Sequence, residues 1–160
     1  MRPHEPYFYE DLEPGQVFET PRRTVTETDL VTFAMFTSDW NPVHTDALTA
    51  RDAGFARPLV HGAMGLALAT GLIQRTGMFE GSAVALLNFQ EWNFRSPLFV
   101  GDTVHTRFAI EAMRLTSRGD RGIVTRRIEL INQDDETVCD GLSDFMVLSR
   151  ATTSQIRSKR

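Results

Sequence analysis

The segment Ser38-Asp39-Trp40-Asn41-Pro42-Val43-His44 places a carboxylate and an imidazole five residues apart on a proline-stiffened stretch. Such a loop can aim both side chains into one space. An Asp–His pair around a bound water is the minimum set for adding water to a polarised double bond, or removing it. One group withdraws a proton from the water while the other delivers a proton to the carbanion-like carbon. The same residues also suit an ordinary Asx-turn from Asp39 or Asn41, with His44 a plain polar loop residue. On composition alone the turn is the commoner use of Asp, Asn and Pro.

A second segment, Arg57-Pro58-Leu59-Val60-His61-Gly62, runs into an apolar stretch. A helix starting there would present free N–H groups and the positive end of its dipole. Gly62 would let a ligand oxygen approach the backbone closely, and an enolate-like oxygen could be held there. The bland alternative is that Gly62 permits tight helix-on-sheet packing and that His61 caps or packs. A metal site from His44, Asp46 and His61 matches no established ligand spacing, so no metal is expected. Trp40, Trp92 and the eleven Phe read as core and pocket lining rather than a base-stacking surface, since no basic stripe accompanies them.

The elements that would position these residues follow from pattern. The chain has 160 residues, 41% hydrophobic and 24% charged, with net charge −4, which suits one ordinary globular domain and no nucleic-acid partner. Gly-x-Gly-x-x-Gly, a phosphate-binding P-loop, Gly-x-Ser-x-Gly and Cys-x-x-Cys are all missing, so no cofactor is implied. The longest apolar stretch, Ala63 to Ile73, is too short to cross a bilayer. With no apolar leader after Met1 and one cysteine, Cys139, the expected location is cytoplasmic. Cys139 reads as a small buried hydrophobe.

Val17 to Thr26 is predicted as a strand interrupted near Pro21. Thr26-Glu27-Thr28-Asp29 is a capping box, and Leu30, Phe33, Ala34 and Thr37 continue a helix of about three turns. A short helix over Asp46 to Ala53 is expected, with Thr45 as cap and Gly54 as stop. Gly62 to Arg75 is apolar almost all round and should be a buried central helix. Four long strand-like runs follow, Ala83–Arg95, Thr103–Thr116, Gly122–Asn132 and Thr137–Ser149. Val104, Phe108, Ile110 and Ala112 share one parity, as do Val124, Ile128 and Leu130. The fold class is therefore α+β, an antiparallel sheet with helices on one face. One domain is expected over 1–150, with a polar tail over 151–160.

Phe36 to His44, with Ala50 six residues on, resembles the hydratase-2 motif of the MaoC-like, (R)-specific enoyl-CoA hydratases. Arg57 to Gly62, Ser96 to Val104, Tyr9 to Leu12 and Gly15 to Phe18 are similar to further segments of that family, so the likeness spans residues 7 to 149. It implies a hot-dog fold, a sheet wrapped around a central helix, assembled as a homodimer or higher homo-oligomer. It implies reversible syn hydration of a trans-2-enoyl-CoA to an (R)-3-hydroxyacyl-CoA, an acyl-CoA being the small-molecule substrate and not a cofactor. Asp39 and His44 match the catalytic pair, Gly62 the amide that holds the thioester oxygen, and Asn41 a loop-orienting residue. Two positions depart from the pattern. Ser38 stands where glycine is common before the Asp, and Ala67 stands where some members carry serine. A hot-dog thioesterase and a non-catalytic acyl-CoA-binding protein are the competing readings.

Overall fold

The computed structural model describes residues 5–151. After a 3-10 turn at Tyr9–Asp11 come strands β1 (Val17–Glu19) and β2 (Arg23–Thr24), then helices α1 (Glu27–Thr37), α2 (Pro42–Thr45), α3 (Ala47–Asp52) and α4 (Gly62–Arg75). Four long strands complete the order: β3 (Ala83–Phe94), β4 (Thr103–Leu115), β5 (Arg121–Ile131) and β6 (Thr137–Leu148). The sheet is antiparallel in the order β1-β4-β5-β6-β3, and β2 also pairs with β4. Strand β3 is therefore an edge. The expected polar tail lies, apart from Ala151, outside the described residues.

Helix α4 lies against β4, β5 and β6. Its Met64, Leu68, Ala69, Leu72 and Ile73 join Val104, Phe108, Val124, Ile128, Leu130 and Val147 in one core. The expectation of a helix buried all round is corrected. Gly62, Ala63, Ala67 and Gly71 are exposed, because the sheet covers one side of α4 and no element among the described residues covers these positions. Those open positions are small residues, so they read as apolar in sequence without being core.

Two further corrections have local causes. Ala112 does not continue the inward row of β4. A bulge between Ile110 and Ala112 adds one residue, turns Ala112 outward and brings Met113 against the core. The cap of α3 is Asp46, whose carboxylate accepts the Leu48 N–H at 2.8 Å, while Thr45 ends the preceding turn. Helix α1 ends at Thr37, ahead of Pro42. The fixed φ and missing N–H of Pro42 suit the first position of a helix, and it opens the single turn α2. The capping box holds as expected: Thr26 accepts from the Asp29 N–H, and the Asp29 carboxylate accepts from the Thr26 N–H.

Candidate active site

Helix α1 stops at Ser38, whose φ of 61° and ψ of 19° reverse the chain in the left-handed region. That conformation explains why glycine is usual at this place, since only glycine adopts it without a Cβ penalty. The Asp39 carboxylate is then divided between two tasks. Its Oδ1 accepts the Asn41 N–H at 3.3 Å, closing an Asx-turn. Its Oδ2 stays open toward two imidazoles. The loop reading of this segment is thus realised at Oδ1, while Oδ2 lies 4.0 Å from both His44 Nε2 and His61 Nε2.

Asn41 accepts the Val43 N–H on its Oδ1 at 3.3 Å and caps α2, which carries His44 back toward Asp39. His44 Nδ1 lies 2.6 Å from the Leu59 carbonyl oxygen. A carbonyl only accepts, so Nδ1 carries the hydrogen and Nε2 keeps its lone pair. That Nε2 is 4.0 Å from Asp39 Oδ2, too far for a direct hydrogen bond and close enough for one water to reach both.

His61 forms the wall. Its Nε2–H donates to the Asp39 backbone carbonyl at 2.9 Å, and its ring stacks on His44 with centroids 3.8 Å apart. Phe33 packs on its other side at 5.2 Å. His61 is buried, and its Nδ1 has no partner. Among the described residues, Asp39, His44 and His61 are the group whose donor atoms all lie within 4.8 Å, the spacing a metal ion would need. The hydrogen on His61 Nε2 leaves that atom no lone pair, so as arranged the trio offers two acceptors and not three. Asp46 is not part of it. Its carboxylate is spent on capping α3, and the Leu48 N–H and Thr49 hydroxyl hold its pKa below the usual carboxylate range.

The second segment is pinned from both sides. The Leu59 N–H donates to the Val43 carbonyl at 3.0 Å, and the Val60 N–H to the Leu98 carbonyl at 2.8 Å. Leu59 bridges Phe99, and Arg57 pairs with the buried Asp102 at 3.3 Å while lying over the Phe99 ring. Residues 57–62 and 96–104, distant in sequence, are in this way held together. His61 gives α4 no side-chain cap, and the Gly62 N–H has no partner among the described residues. A Cβ on Gly62 would stand 3.0 Å from the Phe94 ring, so the close-packing reading of this glycine holds, toward Phe94. A cavity of about 420 Å³ lies against Gly62, lined by Phe55, Leu59, Gly65, Phe94 and Leu98. Another of about 530 Å³ lies against His44 and Trp40. Ala67 lines cavities beside α4 that neither Asp39 nor His44 lines. Sequence reasoning missed the Leu59 carbonyl, because a backbone acceptor has no signature in residue type.

The family model described as the MaoC-like domain matches residues 10–131. The chain belongs to the MaoC-like family. Among curated MaoC-like relatives, the (R)-specific enoyl-CoA hydratase of Aeromonas caviae is 31% identical over 124 residues, 78% of this chain and 87% of that protein. A mitochondrial 3-hydroxyacyl-[acyl-carrier-protein] dehydratase of Arabidopsis thaliana is 31% identical over 131 residues, 81% of this chain and 74% of that protein. The match to the protein MaoC of Klebsiella aerogenes is 34% identical over 62% of this chain but spans only 29% of that protein. Among solved structures, a monoamine oxidase regulatory protein from Archaeoglobus fulgidus superposes with a TM-score of 0.85 at 29% identity, covering 93% of this chain and 99% of that one. A Mycobacterium tuberculosis protein with a double hot-dog fold gives 0.79 at 23% identity, covering 90% of this chain and 44% of that one. The MaoC-like chain thus has the expected α+β hot-dog architecture. No helix among its described residues is long and apolar enough to cross a membrane.

Proposed function

We propose that this chain is a hydro-lyase that reversibly hydrates a trans-2-enoyl-CoA to an (R)-3-hydroxyacyl-CoA. The carrying observation is the pair of acceptors, Asp39 Oδ2 and His44 Nε2, 4.0 Å apart and open to one another. A water between them points both hydrogens at acceptors, which leaves an oxygen lone pair for the β carbon of the enoyl thioester. As that C–O bond forms, Asp39 takes one proton and the double-bond electrons move onto the thioester oxygen. The Gly62 N–H, at the positive end of α4, stabilises the enolate. His44 keeps hold of the water-derived oxygen. The proton passes from the pair to the α carbon on the same face, so one water is added and nothing else is consumed. His61 fixes the Asp39 backbone, and Asn41 and Ser38 shape the loop.

The partner is a second copy of the chain. Strand β3 is twelve residues of unpaired edge carrying exposed Val84, Leu86, Leu87 and Phe94, and such an edge needs covering. CoA is the carrier in this reading, after the (R)-specific enoyl-CoA hydratase of Aeromonas caviae. The acyl-carrier-protein thioester is the variant to run beside it, since the Arabidopsis thaliana dehydratase is equally identical.

The deciding experiment follows the conjugated absorbance of crotonyl-CoA on adding the purified protein, with free thiol read in parallel. Loss of absorbance without thiol is expected. Asp39→Asn should lower that rate by about a hundredfold or more with the fold kept, and a fully active variant would sink the assignment. Thiol release would indicate a thioesterase. Tight binding of a panel of enoyl-CoAs with no turnover would indicate a binding protein.

A further inference from the structure

Strand β5 sends Val124, Ile128 and Leu130 inward, all fully buried, and the inward position between them is Arg126. Arg126 is 4% exposed. Its guanidinium makes no hydrogen bond or ion pair among the described residues, and its buried Nε has no partner. Its close neighbours are the faces of Phe145, 3.9 Å from Cζ to centroid, and Phe108, 6.0 Å away. Burial lowers its pKa to about 10, so it stays charged at neutral pH. Aromatic faces offset part of the cost of a buried cation, but they offer nothing to its in-plane N–H fork.

The guanidinium lines a cavity of about 300 Å³ between α4 and β3, with Ala67, Gly71, Gln74, Ala85 and Phe145. No carboxylate lines that space. Ala67 and Gly71 also border a cavity of about 510 Å³ that reaches Phe33, the ring beside His61. The two spaces therefore adjoin along the open, small-residue side of α4, and Gly62, on the same helix, lines the cavity of about 420 Å³. Nine residues separate Gly62 from Gly71, about 13 Å along the helix axis.

We propose that Arg126 receives the far-end carboxylate of a dicarboxylic acyl chain whose thioester oxygen lies at Gly62, making the substrate a medium-length ω-carboxy enoyl thioester. A guanidinium fork suits a carboxylate in bidentate fashion and would gain the hydrogen bonds that it lacks. This inference rests on the hydratase reading. The competing source of the same carboxylate is a second copy of the chain.

The test compares kcat/KM for trans-2-decenedioyl-CoA and trans-2-decenoyl-CoA in the full-length protein, with crotonyl-CoA run beside them. Wild type is expected to favour the dioyl thioester by roughly tenfold to a hundredfold. Arg126→Met should lose that preference, and Arg126→Lys should keep part of it. Met in place of an unpaired buried charge is expected to fold with Tm at or above wild type; if it does not fold, the wild-type ratio alone decides. Hydration of decenoyl-CoA with no preference for the dioyl thioester overturns the proposal and leaves the hydratase reading standing. Hydration of none of the three removes that reading and this one with it. An altered sedimentation behaviour of Arg126→Met, with no preference in wild type, gives the carboxylate to the second copy and overturns the proposal.

Discussion

At Ser38 a side chain occupies a backbone conformation that costs a non-glycine residue about 1 kcal/mol or more. Ser38→Gly is therefore expected to raise Tm by about 3 °C with hydration kept, and a lowered melting temperature in calorimetry would contradict the strain. Cys139 answers a different question. Burial, aided by the neighbouring Asp140 charge, pushes its thiol up to about 12, so a thiolate-directed reagent should label it only after unfolding. Fast labelling of the native protein would show that the α4–sheet contact opens. Asp39 and His44 are legible as a candidate pair because their type and spacing suit the proposed chemistry, and the structure sets them 4.0 Å apart. Leu59, which fixes the His44 tautomer, was not, since any residue can supply a carbonyl. Arg126 lay in plain view in the parity of β5, a charge in a row of core positions, and a parity count that kept only hydrophobic residues passed over it.

The ends of helices supply the next tests. Burial alone would raise the Asp29 pKa, but hydrogen bonds from Thr26 and the contact with Arg23 hold it below the ordinary carboxylate range. Folded Asp29 binds its proton less readily than unfolded Asp29. Its contribution is thus complete above the unfolded pKa of about 3.9 and is lost as pH falls through the lower folded value. Asp29→Asn should destabilise by about 1 kcal/mol at neutral pH in urea melts, and the gap should narrow in acid, once pH falls below the unfolded pKa of about 3.9. An equal gap in acid and at neutral pH would assign the loss to packing. At α4, Gly62→Pro removes the one N–H in question while keeping a backbone that suits the first helical position, where the preceding His61 already has ψ of 133°. Turnover should fall by about a hundredfold or more. Gly62→Ala meets the same Phe94 ring but keeps the donor, so an equal loss in both would make the effect steric. Helices and long strands were readable from caps and periodicity. The β4 bulge was not, because an added residue leaves no mark in composition and shifts parity only beyond itself.

On the scale of the whole molecule, the open side of α4 and the β3 edge share one cause. Hydropathy reports that a surface avoids water and says nothing about which chain covers it. The central helix therefore read as fully buried, although its own sheet covers only part of it. Leu87→Lys, placed on the β3 edge, should yield a monomer in analytical ultracentrifugation with reduced crotonyl-CoA turnover. A wild-type protein that sediments as a monomer would refute the second-copy assignment outright.

The strand order also sets a sequence in time. Strands β4, β5 and β6 are neighbours in chain and in sheet, so they can zip through short loops. Strand β3 must cross back to β6, and the Asn88–Asp144 bonds that mark this pairing close a separation of 56 residues. Loop-closure entropy makes such a contact late. Asn88→Ala should accordingly quicken unfolding and leave the folding arm of a chevron plot unmoved. The edge proposed to meet a second copy would then form after β4, β5 and β6 have paired, and association would follow their folding rather than guide it.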